Sequence, residues 1–238
     1  MRFIAVGVPL IEADWLIADR QTEGRGRHGR VWADGVGNFM GSTLVRLRDN
    51  DPPAQGLALM MAICLVDSLG DMIVDGGARR FFRIKWPNDI LIGGAKVAGI
   101  LLERFRDYVV IGVGVNLVVA PQLLDRKSIS LRALGANISR DYYAKSLCNG
   151  FSVALLGWRG GDWPATIIAR WMERAHPLGT ALTLTDGQHA GLTGAFDGLE
   201  PDGGLRLRLA DDRIMIIHAG ELRLGSSESE GQDDAAGD

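Results

Sequence analysis

Apolar residues fall in short blocks broken by glycine, proline and charge, which predicts a succession of strands with a few helices. Trp15 to Asp19 (WLIAD) and Phe39 to Arg46 (FMGSTLVR) read as strands on either side of a loop rich in glycine and arginine. Leu57 to Leu69 is apolar on nearly every face, between Gly56 and Gly70, and reads as a buried helix. Phe82 to Trp86, Val97 to Glu103 and Val109 to Leu117 read as strands, the last two joined by a turn at Arg106 and Asp107. Tyr142 to Trp158 and Pro164 to Ala175 carry helical spacing, and Pro164 suits a first turn, where its missing N–H costs nothing.

The pattern changes near His176-Pro177-Leu178-Gly179. Short alternating runs follow: Ala181 to Thr185, Leu192 to Phe196, Leu205 to Leu209 and Ile214 to His218. Turn signals at Asp186-Gly187, Pro201-Asp202-Gly203-Gly204 and Asp211-Asp212 separate them. In LRLRL the leucines face one side and Arg206 and Arg208 the other. The expected organisation is a larger domain over 1–177, a small β-barrel over 178–224 and an acidic, disordered tail over 225–238.

Composition narrows the classes. The 238 residues are 47% hydrophobic and 23% charged, which is globular usage. No apolar run approaches the roughly 18–20 residues of a membrane-spanning helix, and Met1 to Leu10 lacks the layout of a signal peptide. Cys64 and Cys148 lie far apart with no C-x-x-C spacing, which excludes a cysteine zinc site and fits a reducing, cytoplasmic setting. The tail holds Glu228, Glu230, Asp233, Asp234 and Asp238 and no base, so the net charge of −3 becomes +2 without it. Neither value marks a nucleic-acid polyelectrolyte binder. Of 26 basic residues only Lys85, Lys96, Lys127 and Lys145 are lysines. A primary amine that meets one oxygen as a point charge is something arginine does not replace.

Gly24-Arg25-Gly26-Arg27-His28-Gly29-Arg30 spells G-x-G-x-x-G, yet Gly35, Gly37 and Asn38 follow where a dinucleotide fold needs a helix. The kinase elements V-A-I-K, H-R-D and D-F-G are missing as well. What remains is a loop dense in positive charge and backbone N–H groups, suited to wrapping an anion and ordering on binding; the plain alternative is a solvated basic turn. Lys85-Trp86-Pro87-Asn88-Asp89 ends a strand and turns sharply at Pro87, presenting an ammonium, an indole, an amide and a carboxylate. Lys85 suits neutralising developing charge, and Asp89 suits magnesium; the alternative is a strand-end turn with a salt bridge. Lys96 to Glu103 holds Gly99, and Gly112-Val113-Gly114-Val115-Asn116 alternates glycines, so a planar ring or another backbone can lie against these strands. Asn116 is able to read an amide or a ribose; packing is the alternative. His176, His189 and His218 lack ligand-like spacing and read as structural or exposed.

Taken in order, these segments resemble the bacterial biotin–protein ligases. The resemblance rests on QTEGRGRHGR at Gln21 to Arg30 with Trp32, KWPND at Lys85 to Asp89, KVAGIL at Lys96 to Leu101, GVGVN at Gly112 to Asn116, and Ser130-Leu131. It implies an α+β fold: a mixed-sheet catalytic domain of the biotin/lipoate ligase type, related to class II aminoacyl-tRNA synthetase cores, followed by an SH3-like barrel. It further implies that ATP and Mg2+ convert biotin to biotinyl-5′-adenylate, which a lysine of a biotin carboxyl carrier domain then attacks. By resemblance, Gln21, Gly24, Arg25, Gly26, Arg27, Lys85 and Gly99 contact biotin or the adenylate, with Lys85 and Arg27 catalytic. Arg30, Trp32, Asn88, Lys96 and Asn116 neighbour the nucleotide, and Asp89 is the metal candidate.

Two departures from the family stand out. Nothing before Trp15 accommodates the DNA-binding winged helix that some members carry, so a monofunctional type without specific DNA or membrane partners is expected, with a homodimer compatible. The family's Ser/Thr-Thr-Asn biotin-binding segment is also not found, because Val6-Gly7-Val8-Pro9 directly follows the strand-like Met1 to Ala5. Either a stretch is omitted or part of the biotin pocket is lacking. The rival readings are a lipoate or octanoate transferase of the same fold and a non-enzymatic anion or nucleic-acid binding module.

Overall fold

The computed structural model describes residues 11–73, 81–122, 126–161 and 163–225. Met1 to Leu10, where the family's biotin-binding segment is sought, and the acidic residues of the tail lie outside them. Contacts divide the chain into two compact units with the boundary at His176/Pro177, Pro201–Gly203 being counted with the first.

The first unit is built on six strands, β1 (Trp15–Ile17), β2 (Phe39–Arg46), β3 (Phe82–Lys85), β4 (Asp89–Ile92), β5 (Ala95–Phe105) and β6 (Tyr108–Val115). Their spatial order is β1-β2-β6-β5-β4-β3 and every pairing is antiparallel. Among the described residues the sheet is thus antiparallel, where a mixed one was expected. The reason is the run of short hairpins from β3 to β6: each reverses the chain within a few residues, too few for a parallel crossover. Among the described residues, parallel pairing is confined to isolated bridges, Ile84 with Ala175 and Lys96 with Ser128.

Helix α1 (Gln55–Met72) is the core of this unit. Twelve of its residues are buried, from Gly56 through Leu69, and it packs against β3, β4, β5 and the two later helices. Its 18 residues are long and apolar enough to cross a membrane by length and composition, which corrects the reading that no run approaches that size. Two thirds of the helix is enclosed by its own unit, which accounts for its all-round hydrophobicity. Helix α2 (Arg140–Arg159) buries Tyr143, Leu147, Phe151 and Trp158 on one side. Tyr143 and Phe151 meet Phe39 and Trp15 edge-on at 5.3 and 5.7 Å, so the helix is seated on the first two strands by aromatic contacts. Helix α3 (Ala165–Met172) follows.

The second unit is a five-stranded antiparallel sheet of β7 (Ala181–Leu184), β8 (Thr193–Leu199), β9 (Leu205–Arg208), β10 (Ile214–Ile217) and β11 (Leu222–Leu224), in the order β10-β9-β8-β7-β11. Leu182, Leu184, Phe196, Leu205, Leu207, Ile217 and Leu222 form its apolar interior. Arg206 and Arg208 point the other way, where Asp197 accepts from both.

Candidate active site

The glycine–arginine segment is a narrow hairpin with its own hydrogen bonds, where a loose loop was expected. Gly26 N–H donates to the Arg30 carbonyl (2.7 Å) and Trp32 N–H to the Gly24 carbonyl (2.9 Å), while Arg25 bridges Val31. A one-turn helix over Arg27–Gly29 closes the tip, with His28 and Gly29 both at positive φ (55° and 73°). The glycines therefore do different things. A Cβ on Gly24 would lie 2.3 Å from the Trp32 carbonyl oxygen, so no side chain fits, whereas one on Gly26 would meet nothing closer than 3.6 Å. At the neck, Asp34 accepts from the Gln21 N–H (2.9 Å) and from Arg20. Burial leaves the Gln21 side-chain oxygen with no hydrogen-bond partner among the described residues.

The strand glycines are a seat. Gly99 and Gly114 face each other across β5 and β6, and the Trp32 indole lies against both. A Cβ on Gly114 would sit 2.2 Å from Trp32 Cε2, and one on Gly99 would sit 2.9 Å from Cζ3. The planar ring anticipated on these strands is thus supplied by the protein itself. Lys96 Nζ stands 5.4 Å from the ring centroid, a cation over an aromatic face.

Lys96 also pairs with Asp89 at 2.5 Å, both side chains mostly buried. Asp89 stands opposite Gly99 on one flank and opposite Lys85 on the other, so three consecutive hairpin strands bring Lys85, Asp89 and Lys96 to one end of the sheet. The Asp89 carboxylate is already compensated by an ammonium. No group of three or more His, Cys, Asp or Glu among the described residues is placed to hold a metal ion. A protein-built magnesium cage therefore does not fit the described residues.

The remaining candidates brace the site. Asn88 donates to the Ile100 carbonyl (2.6 Å) and accepts the Ile100 N–H on its backbone (2.9 Å), locking the turn to β5. Trp86 is buried, is joined to Pro87 by a cis peptide bond, and donates to the Gly203 carbonyl at 3.1 Å. Asn116 is 3% exposed and spends its amide donors on the Lys96 and Ile129 carbonyls. These bonds support the packing alternative: the side chain ties the Lys96 and Ile129 backbone segments to its own. Two residues escaped the sequence reading, Asp34 at the hairpin neck and Asn38. Asn38 accepts from Val118 and Val119 N–H and donates to the Val119 carbonyl (2.7 Å), fixing the hairpin's exit. Its signal was an asparagine inside a glycine-flanked turn, where such amides bond to backbone.

The environment of the two cysteines sets them aside as reactive groups. Burial pushes the Cys64 thiol up to about 12 and Cys148 up to about 11, so neither is a ready nucleophile. A groove of about 1150 Å³ opens at the opposite end of the strands, lined by residues including Glu12, Arg46, Arg48, Asp51 and Tyr108. The neighbouring Arg159 is saturated there, bonding Glu12, Asp51 and the Arg46 carbonyl.

Residues 11–116, which span the hairpin, the indole seat and the Lys85–Asp89 turn, match the biotin/lipoate A/B protein ligase family. The chain is 34% identical to a biotin–[acetyl-CoA-carboxylase] ligase of Paracoccus denitrificans, over 89% of this chain and 90% of that protein. The chain belongs to this family. The Mycobacterium tuberculosis ligase of the same name is 32% identical over 87% of this chain and 77% of its own length. Among solved structures, the Aquifex aeolicus biotin protein ligase in complex with biotin and ATP superposes with a TM-score of 0.80 at 25% identity, covering 93% of this chain and 92% of that one.

Proposed function

We propose that this family member is a biotin–[biotin carboxyl-carrier protein] ligase. A biotin carboxylate oxygen attacks the α-phosphorus of ATP and expels pyrophosphate. The amine of a carrier lysine then attacks the acyl carbon and expels AMP. The observation that carries the reading is a coincidence of place and kinship. The hairpin, the Trp32 seat and the Lys85–Asp89–Lys96 corner lie together in a chain whose relatives, matched over most of their length, are named biotin ligases.

Gln21 offers its unpartnered oxygen to a substrate N–H, which removes the cost of about 1–3 kcal/mol that a buried orphan acceptor carries. Arg25, Gly26, Arg27 and Arg30 surround the anionic adenylate, and Lys85 meets the charge that builds between carboxylate and α-phosphate. Trp32 and Lys96 border the nucleotide. Magnesium travels with the ATP phosphates and water, as is usual for this ion. The proposed acceptor is the carrier domain of acetyl-CoA carboxylase or another biotin-dependent carboxylase, met in the cytoplasm, and no specific DNA partner is expected.

Pyrophosphate release from ATP, followed with biotin, with lipoate or octanoate, and with neither, tests the reading. Release that depends on biotin supports it. Release driven by lipoate or octanoate alone would favour the acyltransferase alternative, and no release with any acid would favour a binding module.

A further inference from the structure

The segment leaving α3 extends the sheet beyond β3. Ile84 forms a parallel bridge with Ala175, and its N–H donates to the Arg174 carbonyl at 2.8 Å. Ile84 and Ala175 are both buried. Side chains alternate along extended backbone, so the next residue on each side turns to the other face. That register stands His176 beside Lys85 and Arg174 beside Arg83. The electrostatics agree with the register: burial first, and then the charges of Arg83 and Lys85, hold the His176 imidazole below its ordinary value of 6.5. The neighbouring Arg174 is bound to Glu173 at 3.3 Å, and the charges that act on the ring are those of Arg83 and Lys85.

His176 Nε2 is shut off from solvent and has no hydrogen-bond partner among the described residues. A neutral imidazole keeps one acceptor nitrogen, and the charges that act on this ring are the cations Arg83 and Lys85. The donors that the register and the electrostatics place beside this ring are side chains of the protein, Lys85 among them. Lysine carries three donors on a flexible stem. Fixing one of them on a flanking acceptor narrows the directions the ammonium takes toward the reacting oxygens. Such bonds commonly tighten only when substrate binds.

We infer that His176 is a positioning residue for the ligase reaction, the neutral acceptor that holds the Lys85 ammonium in its working direction. The inference rests on the proposed function and on Lys85 as its charge stabiliser.

The test is biotin-dependent ATP–pyrophosphate exchange by the full chain across pH, for wild type, His176→Leu and His176→Gln. His176→Leu should lower kcat about tenfold or more, as small misplacements near a reacting centre do, with KM for biotin and ATP nearly unchanged. Wild-type kcat should fall on acidification below the ordinary histidine range, and that acid limb should vanish in His176→Leu. His176→Gln, whose carbonyl accepts a hydrogen bond, should recover most of the rate. Unchanged kcat in His176→Leu, or equal losses in both variants that track a lowered melting temperature, would overturn the inference. A second readout is independent of activity: removing the Lys85 charge in Lys85→Met should raise the His176 pKa measured by NMR. An unmoved titration would break the pairing even if wild type showed no exchange, an outcome that by itself would strike the ligase reading.

Discussion

The indole seat gives the sharpest test, because two glycines of one strand differ only in what lies above them. In Gly114→Ala the new Cβ would lie 2.2 Å from Trp32 Cε2 and 2.6 Å from its Nε1. Ordinary contact begins near 3.4 Å, so the indole must lift by about 1.2 Å, losing its place over Gly99 and beside Lys96. A misplacement of about 1 Å in a site group costs on the order of a hundredfold in rate. The fold itself should not suffer. Gly114 is paired within the sheet, and Gly→Ala at a compatible backbone narrows the unfolded ensemble. Gly112→Ala is the control: its Cβ would meet Leu101 and Ser42 at 3.7–3.8 Å, ordinary contact. We expect Gly114→Ala to lose about a hundredfold in biotin-dependent pyrophosphate release with a melting temperature near wild type, and its tryptophan fluorescence to shift. Gly112→Ala should stay within about twofold, as a substitution without strain does. Equal activity in the two variants would refute the claim that Trp32 must lie flat on this strand, and equal damage would show that any side chain on β6 is harmful.

Lys96→Met leaves the Asp89 carboxylate buried without its cation and should cost about 3 kcal/mol in urea unfolding, with Lys96→Met/Asp89→Asn recovering much of it; a double mutant no more stable than the single would show that the pair is not a unit. Arg27→Gly deletes a charge at the hairpin tip while sparing Lys85, so adenylate should still form but escape, and streptavidin blots should show labelling of bystander albumin. Normal adenylate formation with label confined to the carrier would remove Arg27 from retention. Glu12 is held below its ordinary value of 4.5, chiefly by its bond to Arg159. Its folded value is the lower one, so it stabilises the fold above that ordinary value and the contribution disappears as pH falls through the lowered one. Urea melts at pH 7 and pH 4 should therefore differ less in Glu12→Gln than in wild type.

What was legible in the chain was whatever depended on neighbours in sequence. β2 was read to the residue because Asn38 precedes FMGSTLVR and the polar Arg48-Asp49-Asn50 closes the apolar run soon after it. The bend at Lys85–Asp89 was legible because proline and a strand end enforce it. β4 was missed, since it begins on Asp89, inside the segment assigned to that turn, and is only four residues long. β11 was missed for a similar reason, three residues giving no period to detect. The partners of Asn116 and Asp89 were not legible, because an amide or a carboxylate in a motif looks the same whether it faces a ligand or its own protein. Only the fold tells Asn116 bonded to the Lys96 and Ile129 carbonyls from one held open for a ribose.

The same distinction recasts the glycine–arginine hairpin. Three glycines and like charges, taken alone, argue for a loop that must be ordered by its ligand. Yet Gly24 is glycine because the Trp32 backbone passes 2.3 Å from where a Cβ would be, and Gly29 because the tip turns at φ 73°. With Asp34 pinning one neck and Asn38 the exit, the hairpin is anchored at both ends and turns only on its tip residues. Anchored ends carry Gln21 and Trp32 to fixed places against the sheet, whereas the tip carries Arg27 and Arg30. We therefore propose that recognition and enclosure are divided along one hairpin, the ends setting where the ligand lies and the tip arginines how long it stays. Substitutions at Asp34 or Asn38 should consequently raise KM, whereas Arg27→Gly should raise the escape of intermediate. An Asp34→Ala enzyme that leaked adenylate at normal KM would show that the two halves of the hairpin are not separate in function.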